Sequence, residues 1–263
     1  MPTALVTGAS TGLGKLFCEL FAADGINVVM TSSPRSCDEL GVAAETLRST
    51  YGVSVERVSI DLAQPGAADA LRAEVDLTGM TIDYVENNAG FGIVGLPMQR
   101  YSAEDFSRMI YVNVFALAQL TMSYVPEMVE GGSGRILNVS SIAGYVVPHG
   151  LECGYAATKA FVVSLSEGLS RDLAGTGVTC THLAPGPTRT NFFSTAGLEG
   201  DGRRRLQVIS MDAGPVARAG YRAMMRGKPS VMPGVGNQVM RAAAKFSPSR
   251  AITARLSGYF VER

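Results

Sequence analysis

The chain has 263 residues, room for one large α/β domain or two smaller ones, and 46% of them are hydrophobic, enough for a sizeable buried core. Its 23 basic and 23 acidic side chains cancel, so no excess charge draws it to nucleic acid or an anionic membrane rather than to a neutral small molecule. Cys18, Cys37, Cys153 and Cys180 are widely spaced, without CxxC or metal-ligand spacing, and only His149 and His182 supply imidazole, so no metal site and no disulfide framework is expected.

Short apolar runs alternate with helical patterns. The spacing predicts strands at 4–7, 27–31, 53–60, 82–87, 135–139 and 178–183, with helices at 12–23, 38–50, 67–77 and 155–173 between them. Ser102 is placed to cap one long helix running to about Val129, with Asp105 completing a capping box. Beyond Pro185 the pattern loosens. Arg203, Arg204 and Arg205 read as a solvated helix face, and a helix at 215–225, a short strand near 230–232 and two C-terminal helical segments close the chain. Strands alternating with crossover helices imply a single-domain α/β fold: a Rossmann-like, doubly wound parallel sheet with helices on both faces. No apolar run approaches a bilayer span and the N-terminus lacks a signal-peptide pattern, so the expectation is a soluble, cytoplasmic protein with no membrane or nucleic-acid partner.

The turn after the first strand reads Thr7-Gly8-Ala9-Ser10-Thr11-Gly12-Leu13-Gly14. A sharp turn, a close backbone approach to a pyrophosphate and tight helix–sheet packing each need a residue without Cβ, and the helix N-terminus then offers N–H groups to phosphate. Gly8, Ser10, Thr11, Gly12, Leu13 and Gly14 are therefore candidate nucleotide contacts. After the second strand, Thr31-Ser32-Ser33-Pro34-Arg35 has no acid to bind a ribose diol. Ser33 and Arg35 suit a 2′-phosphate instead, which favours NADP over NAD. Tyr155 and Lys159 lie four apart on a helix, where a cation can lower a phenol pKa and make it a general acid–base. Ser140 and Ser141 end the fifth strand, at the carboxyl edge where such sheets bind ligands.

Taken together these residues resemble the short-chain dehydrogenase/reductase family along essentially the whole chain. The glycine turn resembles its TGxxxGxG, Asn87-Asn88-Ala89-Gly90 its NNAG, Tyr155 and Lys159 its YxxxK, and the segment from Pro185 to Thr190 its PG-x-x-x-T. The resemblance implies an NAD(P)-dependent oxidoreductase acting on a ketone or secondary alcohol, with NADP the expected cofactor and NAD the less favoured one. It makes Tyr155 the acid–base and Ser141 the donor to the substrate oxygen. Lys159 tunes the tyrosine and holds the nicotinamide ribose, and Asn113 supports a proton relay. It places Asp61, with Leu62, at the adenine, Asn88, Ala89 and Gly90 on the adenosine side, and Pro185, Gly186, Thr188 and Thr190 near the carboxamide and phosphates. It also implies a homodimer or homotetramer and a substrate lid at about 190–211.

Three features depart from the family pattern. The gap from Ser141 to Tyr155 is one residue longer, placing an extra residue in the loop 145–154. Glu86 stands at an apolar strand position, where a partnered or partly exposed carboxylate is expected. Arg35 lies slightly late for an NADP-selecting cation. His149 reads as a loop residue and His182 as a core one, while Phe91, Ile93, Val94, Tyr145, Val146, Phe192 and Phe193 are candidates for an apolar pocket. Two other readings remain at this point: a non-catalytic dinucleotide sensor that binds a protein partner, and an epimerase or dehydratase, for which the chain has little C-terminal room.

Overall fold

A computed structural model describes residues 1–146, 152–190, 192, 196 and 210–246. Seven parallel strands form its main sheet: β1 (Thr3–Thr7), β2 (Asn27–Ser32), β3 (Val55–Ser59), β4 (Tyr84–Asn87), β5 (Gly134–Val139), β6 (Val178–Leu183) and, after two short strands, β9 (Ser230–Val231). Their order across the sheet is β3-β2-β1-β4-β5-β6-β9. The order reverses direction between β1 and β4, so connections leave to opposite sides there and a crevice opens at the strand ends. The first strand is buried along its whole length, as a strand covered on both faces must be.

Helices α1 (Gly12–Ala23), α2 (Cys37–Tyr51) and α7 (Ala213–Met225) cover one face. There Phe17, Phe21, Leu40, Leu47, Val216 and Met224 close on Val6, Val28 and Met30. Phe21 meets Tyr221 edge-on at 5.1 Å, and the Tyr221 hydroxyl donates to Asp24 at 2.6 Å, fastening α7 to the end of α1. On the other face, α3 (Ala67–Leu77) and α5 (Leu117–Glu130) bury Leu71, Val75, Leu120, Tyr124 and Met128 against Leu5, Val85 and Ile136. Each such side chain contributes about 1.5–3 kcal/mol by leaving water. Helix α6 (Cys153–Asp172) packs beside β6, and α8 (Val235–Phe246) follows the last strand.

Four details differ from the sequence expectation. The long helix is interrupted: α4 (Ala103–Ile110) passes through a π-helical turn, Tyr111–Ala116, before α5. Ser102 caps it as expected, accepting from the Asp105 N–H at 3.3 Å. The continuous run Ala103–Glu130 is, by length and mean hydropathy, apolar enough to cross a membrane; its buried stripe packs on α3 and the sheet instead. A small parallel pair, β7 (Thr188–Arg189) with β8 (Met211–Asp212), was not foreseen; these strands are too short to carry an alternating pattern. The regions of the lid, the three consecutive arginines and the second C-terminal segment lie largely or wholly outside the described residues.

Glu86 is the fourth. It pairs with Val6 on one side and Leu137 on the other, is wholly buried, and neither carboxylate oxygen has a hydrogen-bond partner. The expected partner is absent because the surrounding face is apolar, and burial pushes the Glu86 pKa well above the carboxylate range, so the group is held neutral. Burial likewise pushes the Cys18 thiol well above its usual value. A carboxyl whose folded pKa is raised contributes most below its unfolded value and becomes a liability as pH climbs, because only the unfolded chain ionises freely. Glu86→Gln is therefore expected to leave the thermal midpoint nearly unchanged at pH 5 and to raise it increasingly toward pH 8. A gain of about 1–3 kcal/mol is expected there. Melting the two proteins across that range checks it; a gain independent of pH would show that the carboxyl is not held neutral.

Candidate active site

The crevice between β1 and β4 deepens into a cleft of about 1000 Å³. Its floor begins at the glycine turn. Gly8 has φ +65° and Gly12 φ +58°, both in the left-handed region that glycine adopts without strain. Gly14 is demanded by space: a Cβ there would lie 2.3 Å from the Gly8 carbonyl oxygen and 2.6 Å from Asn88 Nδ2. Thr11 makes no side-chain cap to α1, so the N–H groups of the first helical turn are left for a ligand in the cleft. Gly8, Ser10, Thr11, Gly12 and Leu13 line the cleft, while Gly14 stands behind it as the packing glycine.

The far end is polar and cationic. Ser33 and Arg35 line it, on the turn between β2 and α2, and exposed Arg35 has no ion-pair or hydrogen-bond partner among the described residues. One wall carries Asp61 and Leu62. Asp61 accepts from the Ala63 N–H at 3.1 Å and pairs with Arg108 of α4 at 3.1 Å. Burial opposes its charge, but these two contacts hold its pKa below the usual value. Arg108 carries no motif signal; only the fold brings it across to Asp61.

The end of β4 supplies Asn88, Ala89 and Gly90. The Asn88 side chain is committed to structure, donating to the Thr7 carbonyl at 3.0 Å and the Gly8 carbonyl at 3.2 Å. Pro185, Gly186, Thr188 and Thr190 close the cleft from the segment after β6. Thr188 donates to the Gly186 carbonyl at 2.9 Å, and the Asn237 side chain of α8 fills the space where a Gly186 Cβ would go. Asn237 and Met240, whose helix follows no recognisable motif, are cleft residues that sequence reasoning missed.

The remaining end gathers Ser141, Tyr155 and Lys159. Ser141 begins a 3₁₀ turn, Ile142–Gly144, and its hydroxyl accepts from the Ala143 N–H at 3.1 Å. Ser140 instead points into the fold and donates to the Lys159 carbonyl at 2.9 Å, so the two serines have separate tasks. Tyr155 is buried, and burial raises its phenol pKa well above 10; the adjoining Ser141 hydroxyl pulls it back and the charge of Glu152 pushes it further up. Lys159 Nζ sits 5.8 Å from the Tyr155 ring centre and donates to the Val139 carbonyl at 2.8 Å. Its own pKa is pulled down to about 8 by desolvation. The sequence expectation of a phenol lowered by lysine is not what the protein groups alone produce, because the dehydration of both partners outweighs their attraction.

Asn113 lies in the π turn, wholly buried and behind the cleft wall. Its amide donates to the Phe91 carbonyl at 2.8 Å and to Thr158 at 3.1 Å, and its carbonyl accepts from the Phe91 N–H at 3.1 Å. It thus ties the strand end beside Gly90 to the helix that bears Tyr155. Phe91, Val94, Val146 and Phe192 give the substrate end an apolar wall. Tyr145 stands just outside, hydrogen-bonded to the buried His182 ring at 2.6 Å, while Ile93 packs behind. His149, Phe193 and most of the loop expected to hold the extra residue lie outside the described residues. No cluster of metal-ligating side chains occurs among the described residues.

A family model for short chain dehydrogenase matches residues 2–199. The chain is 34% identical over 197 residues to an NADP-dependent 3-hydroxy acid dehydrogenase of Salmonella typhi, covering 75% of this chain and 77% of that protein. It is 35% identical over 188 residues to a 7beta-hydroxysteroid dehydrogenase of Collinsella aerofaciens, covering 71% and 68%. Among solved structures, a short-chain dehydrogenase from Sphingobium yanoikuyae in complex with NADPH superposes with a TM-score of 0.80 at 30% identity, covering 98% of this chain and 95% of that one. One from Burkholderia phymatum in complex with NAD gives 0.81 at 25% identity, covering 95% and 96%. The chain belongs to the short-chain dehydrogenase family. It is an NAD(P)-dependent oxidoreductase that transfers a hydride between the nicotinamide and a ketone or alcohol carbon.

The glycine turn fits a dinucleotide pyrophosphate because Gly8 and Gly14 have no room for a Cβ and Gly8 and Gly12 hold positive φ. Gly14→Ala is expected to push the turn off α1 and weaken dinucleotide binding by at least about tenfold, with roughly 1–3 kcal/mol of lost stability from overpacking. Thermal melting with and without NADPH reads both effects, and an unaltered ligand-induced shift would count against this seat.

Proposed function

We propose that the enzyme works with NADP in preference to NAD and acts on apolar ketones and their secondary alcohols, with Tyr155 as acid–base. One observation carries the reading. Ser141, Tyr155 and Lys159 converge at one end of a cleft whose other end holds an unpaired Arg35 beside Ser33, with the glycine turn between them. The apolar wall of Phe91, Val94, Val146 and Phe192 supports the substrate class.

In this reading Ser10, Thr11, Gly12 and Leu13 hold the pyrophosphate at the N-terminus of α1. Ser33 and Arg35 take the 2′-phosphate, Asp61 and Leu62 flank the adenine, and Ala89 and Gly90 pass along the adenosine side. Pro185, Gly186, Thr188 and Thr190 bracket the nicotinamide. When bound, the nicotinamide gives or takes the hydride. The chain does the rest. Ser141 donates a hydrogen bond to the substrate oxygen, and Tyr155 delivers a proton to that oxygen in reduction or removes it in oxidation. Lys159 keeps its ammonium beside the phenol and stabilises the phenolate whenever the proton leaves. Asn113 keeps α6 in register with the strand end that carries Gly90.

The enzyme is expected in the cytoplasm as a homodimer or homotetramer. Exposed Phe115, Met122 and Val129 on the π turn and α5, and Phe161 on α6, support an interface between copies.

Tyr155→Phe removes only the hydroxyl, and is expected to lower kcat by at least about a thousandfold while NADPH still raises the thermal midpoint. Turnover at the wild-type level would defeat the mechanism. Arg35→Ala is expected to raise KM for NADPH by about tenfold or more and leave KM for NADH nearly as it was, since a phosphate–arginine contact is worth roughly 1.5–3 kcal/mol. Initial rates with both cofactors decide it; equal losses with the two would place Arg35 elsewhere.

A further inference from the structure

Glu152 belongs to no family motif quoted above and has no part in the mechanism. It stands at the N-cap of α6, one helical turn before Tyr155, and lines the same cleft as Ser141, Tyr155 and Phe192. An N-cap side chain commonly satisfies its own helix, but Glu152 makes no such bond, nor any ion pair or hydrogen bond from its carboxylate among the described residues. It is half-buried beside an apolar wall, and desolvation pushes its pKa up to about 7. Its charge is felt by both Tyr155 and Tyr101. A carboxylate of this kind is unfavourable where it stands unless something else meets it.

The cations of the cleft do not meet it. Arg108 is paired with Asp61, Lys159 donates to the Val139 carbonyl, and Arg35 sits at the far end beside Ser33. Among the described residues lining the cleft, then, Lys159 is the one cation at the substrate end and is turned onto the Val139 carbonyl, while the Glu152 carboxylate there has no donor.

Resting on the reductase reading above, we infer that Glu152 is a specificity-determining residue. It selects ketones, and the corresponding alcohols, that carry an ammonium or other strong hydrogen-bond donor near the carbonyl, and it rejects those carrying a carboxylate there. Glu152 and Tyr155 stand three residues apart and line the same cleft, so the donor it selects lies on the substrate close to the reacting carbonyl. An ammonium that meets the Glu152 carboxylate forms an ion pair with it, and that pair in a water-poor cleft supplies the discrimination. The 3-hydroxy acid dehydrogenase of Salmonella typhi, by its name, acts on the opposite charge class.

The test uses three ketones on one aryl-alkyl skeleton: unsubstituted, with a primary ammonium, and with a carboxylate at the same carbon. Rates are measured with NADPH on the full chain. The wild type is expected to favour the ammonium ketone over the carboxylate ketone by at least about tenfold in kcat/KM. Glu152→Gln is expected to shrink the ratio of ammonium to unsubstituted ketone by about tenfold, and Glu152→Lys to favour the carboxylate ketone. A second readout does not need turnover: the ammonium-bearing alcohol is expected to raise the thermal midpoint of the NADP-loaded wild type more than that of Glu152→Gln. Ratios and midpoint shifts indifferent to residue 152, with the unsubstituted ketone reduced in a Tyr155-dependent way, overturn the selectivity alone. Failure of the wild type to reduce any ketone overturns the reductase reading and this inference with it.

Discussion

The site hangs on one knot, the meeting of the β1 and β4 ends at the point where the sheet order reverses. Thr7 and Asn88 make it between them. The Thr7 hydroxyl accepts from the Asn88 N–H and the Ala89 N–H, each at 3.0 Å, and the Asn88 amide returns two bonds to the carbonyls of Thr7 and Gly8. These are backbone groups left over where the ladder stops, and unpaired they would each cost about 1–3 kcal/mol. Pairing them fixes the Gly8 carbonyl where only a glycine at position 14 can pass. That in turn sets the height at which α1 starts and where its first N–H groups point. The dinucleotide seat is thus a consequence of how two parallel strands finish.

A second buried network holds the reacting end to the first. Asn113 joins the Phe91 backbone to Thr158, Thr158 donates to the Tyr155 carbonyl at 2.7 Å, and Ser140 grips the Lys159 carbonyl. Below them Asn87 donates to Asn138, and Asn138 to Ser166 on α6. Together the links connect the strand ends and the π turn to α6 through neutral amides and hydroxyls, which cost less to bury than charges and allow fixed geometry. The π turn makes this possible. A regular helix from Ser102 to Glu130 would advance Asn113 by the ordinary angle, whereas the wider turn Tyr111–Ala116 sets its own spacing inside an otherwise continuous helix.

That distinction separates what the sequence made legible from what it did not. The parallel sheet, the glycine turn and the Tyr155–Lys159 pair were legible because each is a local pattern whose spacing is itself the physics: period 2, period 3.6, or a missing Cβ. Ser141 could be chosen over Ser140 by the residues after it, and the two hydroxyls indeed point to different places. What escaped depends on distant parts of the chain. Arg108 reaches Asp61 across 47 residues, and Asn237 comes to Gly186 from the last described helix. The π turn has no composition of its own. Glu86 was seen as unusual, but a strand pattern cannot tell a partnered acid from a neutral one. Its solution, keeping the proton, is a property of the whole apolar face around it.

The same competition between burial and charge governs the cleft. Tyr155 and Lys159 are both dehydrated, and both move away from ionisation, the phenol upward and the ammonium down to about 8. A charged pair in that place is therefore costly, and each nearby charge has large leverage because little water screens it. Glu152 acts on the phenol in the direction opposite to Ser141. A group that neutralises Glu152 therefore eases ionisation of Tyr155, and one that adds negative charge hinders it. Binding and proton transfer are linked through the same field, so a cationic substituent on the substrate would improve the acid–base group as it docks. Discrimination by charge at this end should consequently appear in kcat as well as in KM, which a carboxylate serving only as a binding contact would not produce.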